Sequence, residues 1–502
     1  MSIDTLKEYL APVSDLSAAA ALLEWDQETY MPPGAAEARA HQLATLKRLA
    51  HEHLTSDEVG LLLEDLERNK PADDLDRALV RVARRDFDRA TKLSADFVTR
   101  FATAKARALE AWKHARQDDD FGRFAPHLRE IVDLSVEQAE ALGYDPPDQG
   151  GCRYDALLDA YEPGATTAEI EALFGDLREH LVPIVQALAE AEPPDDSVLH
   201  RSFDAERQWH FGLEVARALG YDFVCGRQDH SAHPFTTSFS TRDVRVTTRI
   251  APDFFPTGLF GTIHEVGHAL YEQGIEPALE RTPLADGTSL GVHESQSRLW
   301  ENLVGRSRGF WRWAYPRLRQ TFPDVLAGVA EDAFYRAVNR VRPSLIRVEA
   351  DEVTYNLHVM LRFQIETALV SGSLAPRDVP EAWNAAMQDL LGLAPPSDAD
   401  GCLQDIHWAL GAMGYFPTYT LGTLMSVQLF EAAERDLGDL GEMFERGEFE
   451  PVLGWMREHV HRWGRARSAA EIMDEATGGP LSAEPWLAYV RRKFGAVYGV
   501  SL

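Results

Sequence analysis

Helical periodicity is the feature that most limits what this chain can fold into. From the N-terminus to about residue 215 the sequence is rich in Ala, Leu, Glu and Arg, and its apolar residues recur three and four positions apart. That spacing puts the apolar side chains on one face of a helix, so it predicts a series of long amphipathic helices. Short Pro and Gly segments divide the series, and none is long enough to link two domains.

One stretch interrupts the helical pattern. Residues 235–239 and 244–248 are β-branched, aromatic and partly alternating, which predicts a small antiparallel hairpin or sheet. The helical pattern then returns and continues to the C-terminus. We therefore expect a mostly α, single-domain fold over residues 1–502, with an N-terminal helical half at about 1–230 and a second half at about 231–502.

The composition is that of a folded protein and argues against some partners. Hydrophobic residues make up 45% and charged residues 26% of 502 positions, which excludes wholesale disorder. Lys and Arg total 50 against 80 Asp and Glu, a formal net charge of −30. Nucleic acid is therefore not an expected partner. A well-solvated surface explains the acidity, with a saline source or basic substrates as alternatives.

Cysteine usage and hydropathy indicate the compartment. The chain has three cysteines, Cys152, Cys225 and Cys402, and no close pair among them, so no disulfide framework is expected. The N-terminal residues are polar and acidic and lead into a helical pattern rather than a signal sequence, and nowhere do 18 apolar residues run together. We expect a reducing, cytoplasmic location and no membrane partner.

A second helical feature carries metal-ligand spacing. Pro256 opens a helical segment that closes at Gly274, and His264 and His268 fall four residues apart within it. On a helix both imidazoles then lie on one face, where they can bind a single Zn²⁺. Glu265 lies one step round the helix and would be the general base. The alternatives are a chance pentad or a histidine pair satisfied in the core.

Three glycines, Gly258, Gly261 and Gly267, lie inside the same helical segment. An interior glycine costs about 1 kcal/mol relative to alanine. Such a cost is tolerable where another backbone approaches closely. The glycines therefore predict a helix embedded in the centre of the protein.

The third metal ligand must come from elsewhere in the chain. A catalytic zinc takes three protein ligands and keeps one position for water. The longer metzincin pattern would need Gly at 271 and His at 274, but the sequence has Tyr271 and Gly274. Glu294, near the start of a second helical pattern that runs through residue 304, is the predicted third ligand. His293 is the competing candidate, although on a helix it points about 100° away.

Further motifs extend along the whole chain. They are Trp25–Pro32, Tyr154–Asp159, Tyr161–Gly164, His233–Phe235, Asp243–Thr247, His264–His268, His293–Ser295, Ile346–Asp351, Gly401–Trp408, Ala476–Gly478 and Trp486–Tyr498. With these motifs the sequence closely resembles the carboxypeptidase Taq-type metallocarboxypeptidases. The resemblance implies a mostly helical fold with two halves flanking a deep active-site groove, usually a homodimer. It also implies broad removal of C-terminal amino acids from peptide substrates.

The chemistry expected of such an enzyme assigns roles to these residues. Zinc held by His264, His268 and Glu294 would acidify its water and polarise the scissile carbonyl. Glu265 would take the water's proton and pass it to the leaving amine. Co²⁺ or Mn²⁺ could occupy the same ligands instead of Zn²⁺.

A carboxypeptidase must also bind the terminal carboxylate of its substrate, and a bidentate arginine is the best cation for this purpose. Arg347 is the first candidate, because its flanking residues indicate a helix that directs the guanidinium into a site and because the resemblance points to the same motif. Arg245 and Arg249 come second, since Asp243 and the threonines around them look more like a structural network. An ordinary solvated arginine is the alternative.

The oxyanion of the tetrahedral intermediate needs a hydrogen-bond donor besides the metal. Tyr419 or Tyr415 could supply a phenol hydroxyl, and His407 could also donate. In related helical peptidases a histidine and a tyrosine about three turns later play such parts, and His407 with Tyr419 has similar spacing. A tyrosine that merely satisfies its hydroxyl in the core is the alternative.

Two other functions compete with a metallocarboxypeptidase. One is an endo-acting oligopeptidase on a similar helical scaffold. Arg347 discriminates the two, because a carboxypeptidase needs a cation for the terminal carboxylate of its substrate. The other is a binding or scaffold protein with a structural zinc. Glu265 argues against the scaffold, because a structural site has no use for a general base.

Overall fold

The computed structural model describes residues 2–502 and forms twenty α-helices and three strands over that range. The helices are α1 Ile3–Thr29, α2 Ala36–Leu54, α3 Asp57–Arg68, α4 Asp74–Lys92, α5 Ala95–Asp118, α6 Phe121–Leu142, α7 Arg153–Leu158, α8 Thr167–Glu190, α9 Ala205–Leu219, α10 Phe255–Glu272, α11 Leu290–Arg298, α12 Arg308–Thr321, α13 Glu331–Val338, α14 Tyr355–Ser371, α15 Val379–Leu391, α16 Pro417–Leu437, α17 Leu440–Glu445, α18 Glu450–His459, α19 Ala469–Thr477 and α20 Glu484–Tyr498. The predicted mostly α class is confirmed. Within the described part of the chain, no helix combines the length and apolarity needed to cross a membrane.

The chain divides into two compact units, each built from three stretches of sequence. The first unit comprises residues 2–91, 195–338 and 425–481, and the second comprises residues 92–194, 339–424 and 482–502. The predicted division into halves near residue 230, and the groove between them, stay predictions.

The first unit contains a three-stranded sheet, with β1 at Gly226–His230, β2 at Thr236–Ser240 and β3 at Asp243–Thr248. β3 lies in the middle, parallel to β1 and antiparallel to β2. The predicted hairpin corresponds to β2 and β3, but the expectation of a wholly antiparallel sheet is wrong. The added parallel strand, Gly-Arg-Gln-Asp-His, has neither alternation nor β-branched residues, so its sequence carries no strand pattern.

Helix α10 lies in the core of the first unit. It has Pro256 in its first turn and thirteen buried residues among its eighteen, and it packs against α9, α11, β2 and β3. A helix whose side chains are buried on nearly every face lies in a protein core, with other elements packed around it. The prediction of an embedded helix is therefore confirmed within the first unit.

Only Gly267, among the three predicted glycine contacts, meets another backbone at less than 3 Å. A Cβ added to Gly267 would lie 2.7 Å from Ser297 Cα and 2.8 Å from the carbonyl oxygen of Gln296, both on α11. At Gly258 and Gly261 the added Cβ would meet side chains at 3.2 Å or more, and the nearest backbone atom, Ile250 Cα, would lie 3.8 Å from that of Gly258. Gly267 therefore sets the distance between α10 and α11.

We expect Gly267→Ala to lower the free energy of unfolding by about 2 kcal/mol, because the backbone of α11 must move to admit the methyl group. Denaturant unfolding measures this change. Gly175→Ala is the matched control, since Gly175 lies inside α8 and a Cβ there meets nothing within 4 Å. The control should gain up to about 1 kcal/mol from helix propensity. Equal effects of the two variants would contradict the close approach.

Helix α14 is the corresponding central helix of the second unit. Thirteen of its seventeen residues are buried, and they include the charged side chains of Arg362 and Glu366, each with 0% exposure. It packs against α6, α7 and α15. A central helix with fully buried charges must have partners for them, and these partners define the second group of candidate functional residues.

Candidate functional site

The three predicted metal ligands lie together in the first unit. One ligand atom from each of His264, His268 and Glu294 lies within 4.8 Å of the others. Glu294 Oε2 is 3.7 Å from His264 Nε2 and 3.6 Å from His268 Nε2. Ligand atoms about 2.1 Å from a tetrahedral metal are about 3.4 Å apart, so the three residues fit one divalent ion.

The ring of His264 is oriented through its other nitrogen. Its Nδ1 lies 3.0 Å from Oε2 of Glu301, which leaves Nε2 directed toward Glu294. Glu301 also contacts Arg306 Nη2 at 3.1 Å. It belongs to a turn of π-helix at Leu299–Val304 that directly follows α11. This arrangement is the usual carboxylate support of a metal-binding histidine.

A second histidine supports His268. The Nδ1 atoms of His268 and His293 are 2.6 Å apart, and His293 Nε2 lies 2.7 Å from Glu272 Oε1. His293, the competing candidate for the third ligand, therefore contacts the far side of His268. In this geometry Glu294, and not His293, approaches both Nε2 atoms.

Glu294 is itself held by neighbours on α11. Arg298, one helical turn later, donates from Nε to Glu294 Oε1 at 2.7 Å, and Ser297 Oγ lies 3.1 Å from Oε2. Arg298 Nη1 also lies 3.4 Å from Glu301 Oε2. Arg298 thus contacts both the candidate ligand Glu294 and Glu301, the carboxylate that orients His264.

The predicted general base is buried beside the ligands. Glu265 is 7% exposed, and Thr236 Oγ1 on β2 lies 2.7 Å from its Oε2 and 2.8 Å from its backbone carbonyl oxygen. Burial raises the pKa of Glu265 above its ordinary value. A carboxylate with a raised pKa and one oxygen fixed by a neighbour has the properties of a proton acceptor.

Burial and neighbouring charges act differently on the two histidines. Burial, assisted by His293, holds the pKa of His268 well below its ordinary value. Burial also acts to lower the pKa of His264, but the carboxylates of Glu294 and Glu301 outweigh it and raise that pKa. For Glu301, the effect of burial is overcome by His264 and two arginines, so its pKa lies well below the ordinary value.

We expect Glu294→Ala to weaken metal binding by more than about 100-fold, because removing even a supporting partner of a ligand costs about 10- to 100-fold. Elemental analysis after dialysis and competition with a chelator measure the loss. Ser297→Ala, which removes only the hydroxyl next to Oε2, should have a much smaller effect. Unchanged metal content in Glu294→Ala would exclude this residue as a ligand.

Arg347 lies in the second unit, with 4% exposure. Its Nε and Nη2 donate to Oδ1 of Asp405 at 3.0 and 2.7 Å, and its Nη1 donates to the Tyr355 hydroxyl at 2.8 Å. The residue belongs to a short 3₁₀ turn, Arg347–Glu349, so the expectation of a helix at this position is wrong. The buried side chain of Arg347 thus projects from a short turn within an irregular segment.

Asp405 is shared between two arginines. Arg362 of α14 donates from Nε to Oδ2 of Asp405 at 2.7 Å and from Nη2 to Gln404 Oε1 at 2.7 Å. Burial would raise the pKa of Asp405, but Arg362 and Arg347 hold it well below its ordinary value. The group therefore carries two buried positive charges and one buried negative charge.

The predicted oxyanion donors surround this group. The ring of His407 lies 5.3 Å from that of Tyr415 and 6.4 Å from that of Tyr419, and the two tyrosine rings are 5.3 Å apart. The Tyr419 ring also lies 5.1 Å from the guanidinium carbon of Arg347. Burial lowers the pKa of His407 to about 4, so its ring is neutral at neutral pH. Arg347, His407, Tyr415 and Tyr419 thus form one cluster.

The two secondary arginine candidates belong to the first unit. Arg245, on β3 in the first unit, pairs through Nε and Nη2 with both oxygens of Asp243 at 2.8 and 2.9 Å. Its guanidinium stacks on Trp25 at 4.4 Å and on Phe239 at 5.0 Å. Arg249, just beyond β3, is exposed. For Arg245 these contacts match the structural network that was the alternative interpretation of this segment.

The sequence pattern did not predict the residues that support the candidate ligands. Arg298 had a readable signal, because it follows Glu294 by one helical turn. Glu301 had a weaker one, because a π-helical turn changes the spacing after residue 298. Thr236 and Glu272 had none, since their positions depend on how other elements pack against α10.

Two histidines and a glutamate that converge on one point, each oriented by a second contact, lie beside a buried carboxylate. This arrangement has the features of a metal-dependent hydrolase with a single-metal site. The model of the carboxypeptidase Taq (M32) metallopeptidase family matches residues 5–494. The chain belongs to this family and is a metallocarboxypeptidase, which confirms the resemblance drawn from the motifs.

Individual relatives match over nearly the full length. The chain is 46% identical to thermostable carboxypeptidase 1 of Thermus thermophilus, over 98% of each protein. It is 38% identical to carboxypeptidase 1 of Bacillus subtilis, over 98% of this chain and 97% of that protein. The solved M32 carboxypeptidase of Deinococcus radiodurans R1 superimposes with a TM-score of 0.96 at 44% identity, over 99% of each chain. Membership in this family implies a divalent metal and peptide substrates.

Proposed function

We propose that this metallocarboxypeptidase hydrolyses the C-terminal bond of peptides with broad specificity, using Glu265 as general base and zinc as its metal. The observation that carries the proposal is the convergence of His264, His268 and Glu294 within 4.8 Å. A zinc ion bound by these residues would polarise the scissile carbonyl and acidify water. Co²⁺ and Mn²⁺ fit the same ligand set.

Glu265 accepts the proton of the attacking water and later donates it to the leaving amine. Its burial and its raised pKa favour this exchange, because they bring its proton affinity closer to that of the groups it serves. Thr236 holds one carboxylate oxygen at 2.7 Å, which leaves the other oxygen available for the water.

Arg347 binds the terminal carboxylate of the substrate. Its contacts with Asp405 and Tyr355 use three of the five N–H groups of a guanidinium, which leaves one donor on each terminal nitrogen. Asp405, which Arg362 holds through its other oxygen, keeps the Arg347 guanidinium in a fixed orientation before substrate arrives. Such preorganisation reduces the entropy cost of binding.

His407 and one of the two tyrosines, Tyr415 or Tyr419, donate hydrogen bonds to the oxyanion of the tetrahedral intermediate. All three lie in one aromatic group, and a neutral His407 carries one N–H that can be donated. Donors fixed in a dry environment stabilise developing charge more strongly than water does. We further propose a homodimer, as the family resemblance implies, in the reducing cytoplasmic location that the cysteine usage predicts.

Digestion of a decapeptide, followed over time by mass spectrometry, tests the proposed reaction. A ladder of products shortened one residue at a time from the C-terminus is the expected result. The same peptide amidated at its C-terminus is the matched control and should be cleaved far more slowly. Internal cuts, equal in the free and amidated peptides, would instead identify an endo-acting oligopeptidase.

A further inference from the structure

Glu366 is a fully buried carboxylate whose partners come from two distant segments of the second unit. Its Oε2 accepts hydrogen bonds from the Tyr154 hydroxyl at 2.7 Å and from the backbone N–H of Gly414 at 3.0 Å. Its Oε1 accepts a hydrogen bond from Trp408 Nε1 at 2.9 Å. Burial raises the pKa of Glu366 to about 7, although all three donors favour the charged form.

Two of these partners flank the proposed oxyanion donors. Trp408 directly follows His407, and Gly414 directly precedes Tyr415. The carboxylate of Glu366 therefore holds both ends of the loop at residues 408–414. A shift of this carboxylate would move Trp408 and Gly414, which are the chain neighbours of His407 and Tyr415.

Helix α14 holds the same segment at a second point. Arg362 lies one helical turn before Glu366 and binds Gln404 and Asp405 through its guanidinium. Residues four apart lie on one face of a helix, so Arg362 and Glu366 contact neighbouring parts of the segment at residues 404–414. The segment from 404 to 414 is thus fastened to one rigid, buried helix.

The motifs at residues 154–159 and 161–164, which have no part in metal binding, form the other side of this support. Gly414 has φ +94°, and a Cβ there would lie 2.8 Å from backbone atoms of Leu157 and Leu158. The Tyr161 ring meets the Tyr415 ring edge-on at 5.3 Å. The end of α7 therefore packs directly against the residues that position Tyr415.

We propose that Glu366 is a positioning residue that holds His407 and Tyr415 in place for oxyanion stabilisation, with α7 as its second support. The inference rests on the proposed function of these two residues as donors. It assigns a role to two buried side chains, Glu366 and Tyr154, which are 0% and 2% exposed.

Glu366→Gln tests this role with little change of shape. All three partners are donors, and neither an indole N–H nor a backbone N–H can accept a hydrogen bond. A glutamine must turn its NH₂ group either toward Trp408 or toward Gly414, so one donor faces another donor and the loop moves. A displacement of about 1 Å near reacting groups can reduce the rate by about 100-fold.

We expect metal-loaded Glu366→Gln to lose about 10- to 100-fold in kcat on a peptide substrate, with KM within about twofold and metal content unchanged. The matched control is Glu352→Gln. Glu352 is a buried carboxylate of the same unit that accepts from the Tyr489 hydroxyl and from Lys493 Nζ, each at 2.6 Å. Its variant should lose thermal stability and keep kcat. Similar kcat losses in both variants would identify a merely structural role.

Trp408→Phe provides a second, milder test in case Glu366→Gln does not fold. It removes one donor and leaves the carboxylate with its other two, so we expect a smaller loss of kcat at unchanged KM. Full kcat in Trp408→Phe, or a loss expressed only in KM, would overturn the positioning role.

Combination with His407→Ala and Tyr415→Phe separates this inference from the proposed function. If Glu366 acts through the two donors, its variant should cause little further loss in the double-donor background. If the donor variants lose kcat while Glu366→Gln keeps it, or if the losses simply multiply, the positioning role fails and the donors stand. If both donor variants keep full kcat, the proposed role of His407 and Tyr415 as oxyanion donors fails, and with it the inference that rests on it.

Discussion

Glu265→Gln should keep its metal and lose at least about 1,000-fold in kcat. General base catalysis contributes about 100- to 10,000-fold, and a glutamine amide cannot accept a proton at neutral pH. The variant leaves all three metal ligands in place and preserves an oxygen for the hydrogen bond from Thr236. Steady-state kinetics on a peptide and elemental analysis of the same sample measure the two parts of this result.

The design separates loss of the base from loss of the metal. Glu276→Gln is the control, because Glu276 is an exposed carboxylate just past the end of α10. Its substitution removes the same charge from the same region. It should retain full kcat and full metal content. If Glu265→Gln keeps both metal and substantial turnover, another group takes the proton and Glu265 has no role as the base.

The fold was predictable to the extent that it depends on local pattern. The 3- and 4-residue spacing of apolar side chains indicated helices before and after the sheet, and Pro256 marked the start of α10 within one residue. The strand β1 was not predictable, because Gly226–His230 is polar and takes its strand conformation from pairing with β3. Tertiary pairing there overrides local propensity.

The candidate site was predictable where its residues share a helix. His264 and His268 lie one turn apart on α10, so their spacing alone placed both rings on one face. The contact between Glu294 and the two histidines depends on the close crossing of α10 and α11, which Gly267 permits. The interior glycine signalled a close approach but could not say which backbone approaches.

The electrostatic environment of Arg347 could not be read from its motif. The sequence placed an arginine in Ile346–Asp351 and an aspartate in Gly401–Trp408, but not the ion pair between them. It also gave no sign that Arg362 shares Asp405. Ion pairs between residues more than forty positions apart in the sequence depend on the packing of the second unit, which the local sequence pattern does not encode.

Arg347→Met should raise KM for a peptide with a free C-terminus by at least about 100-fold, with a smaller effect on kcat. A bidentate arginine–carboxylate contact in a buried site contributes about 3 kcal/mol, equivalent to a factor of about 100. Asp405 remains paired with Arg362 in the variant, so its charge is not left isolated in the interior. The fold should therefore survive the substitution.

The comparison of free and amidated peptides makes the Arg347 test specific. The native enzyme should prefer the free acid strongly, and Arg347→Met should abolish most of that preference, because the guanidinium no longer distinguishes a carboxylate from an amide. Arg347→Lys keeps the charge without the two-pronged geometry and should recover only part of it. Arg245→Met tests the competing candidate. If the preference disappears in the Arg245 variant and survives in Arg347→Met, the terminal carboxylate binds at β3 instead.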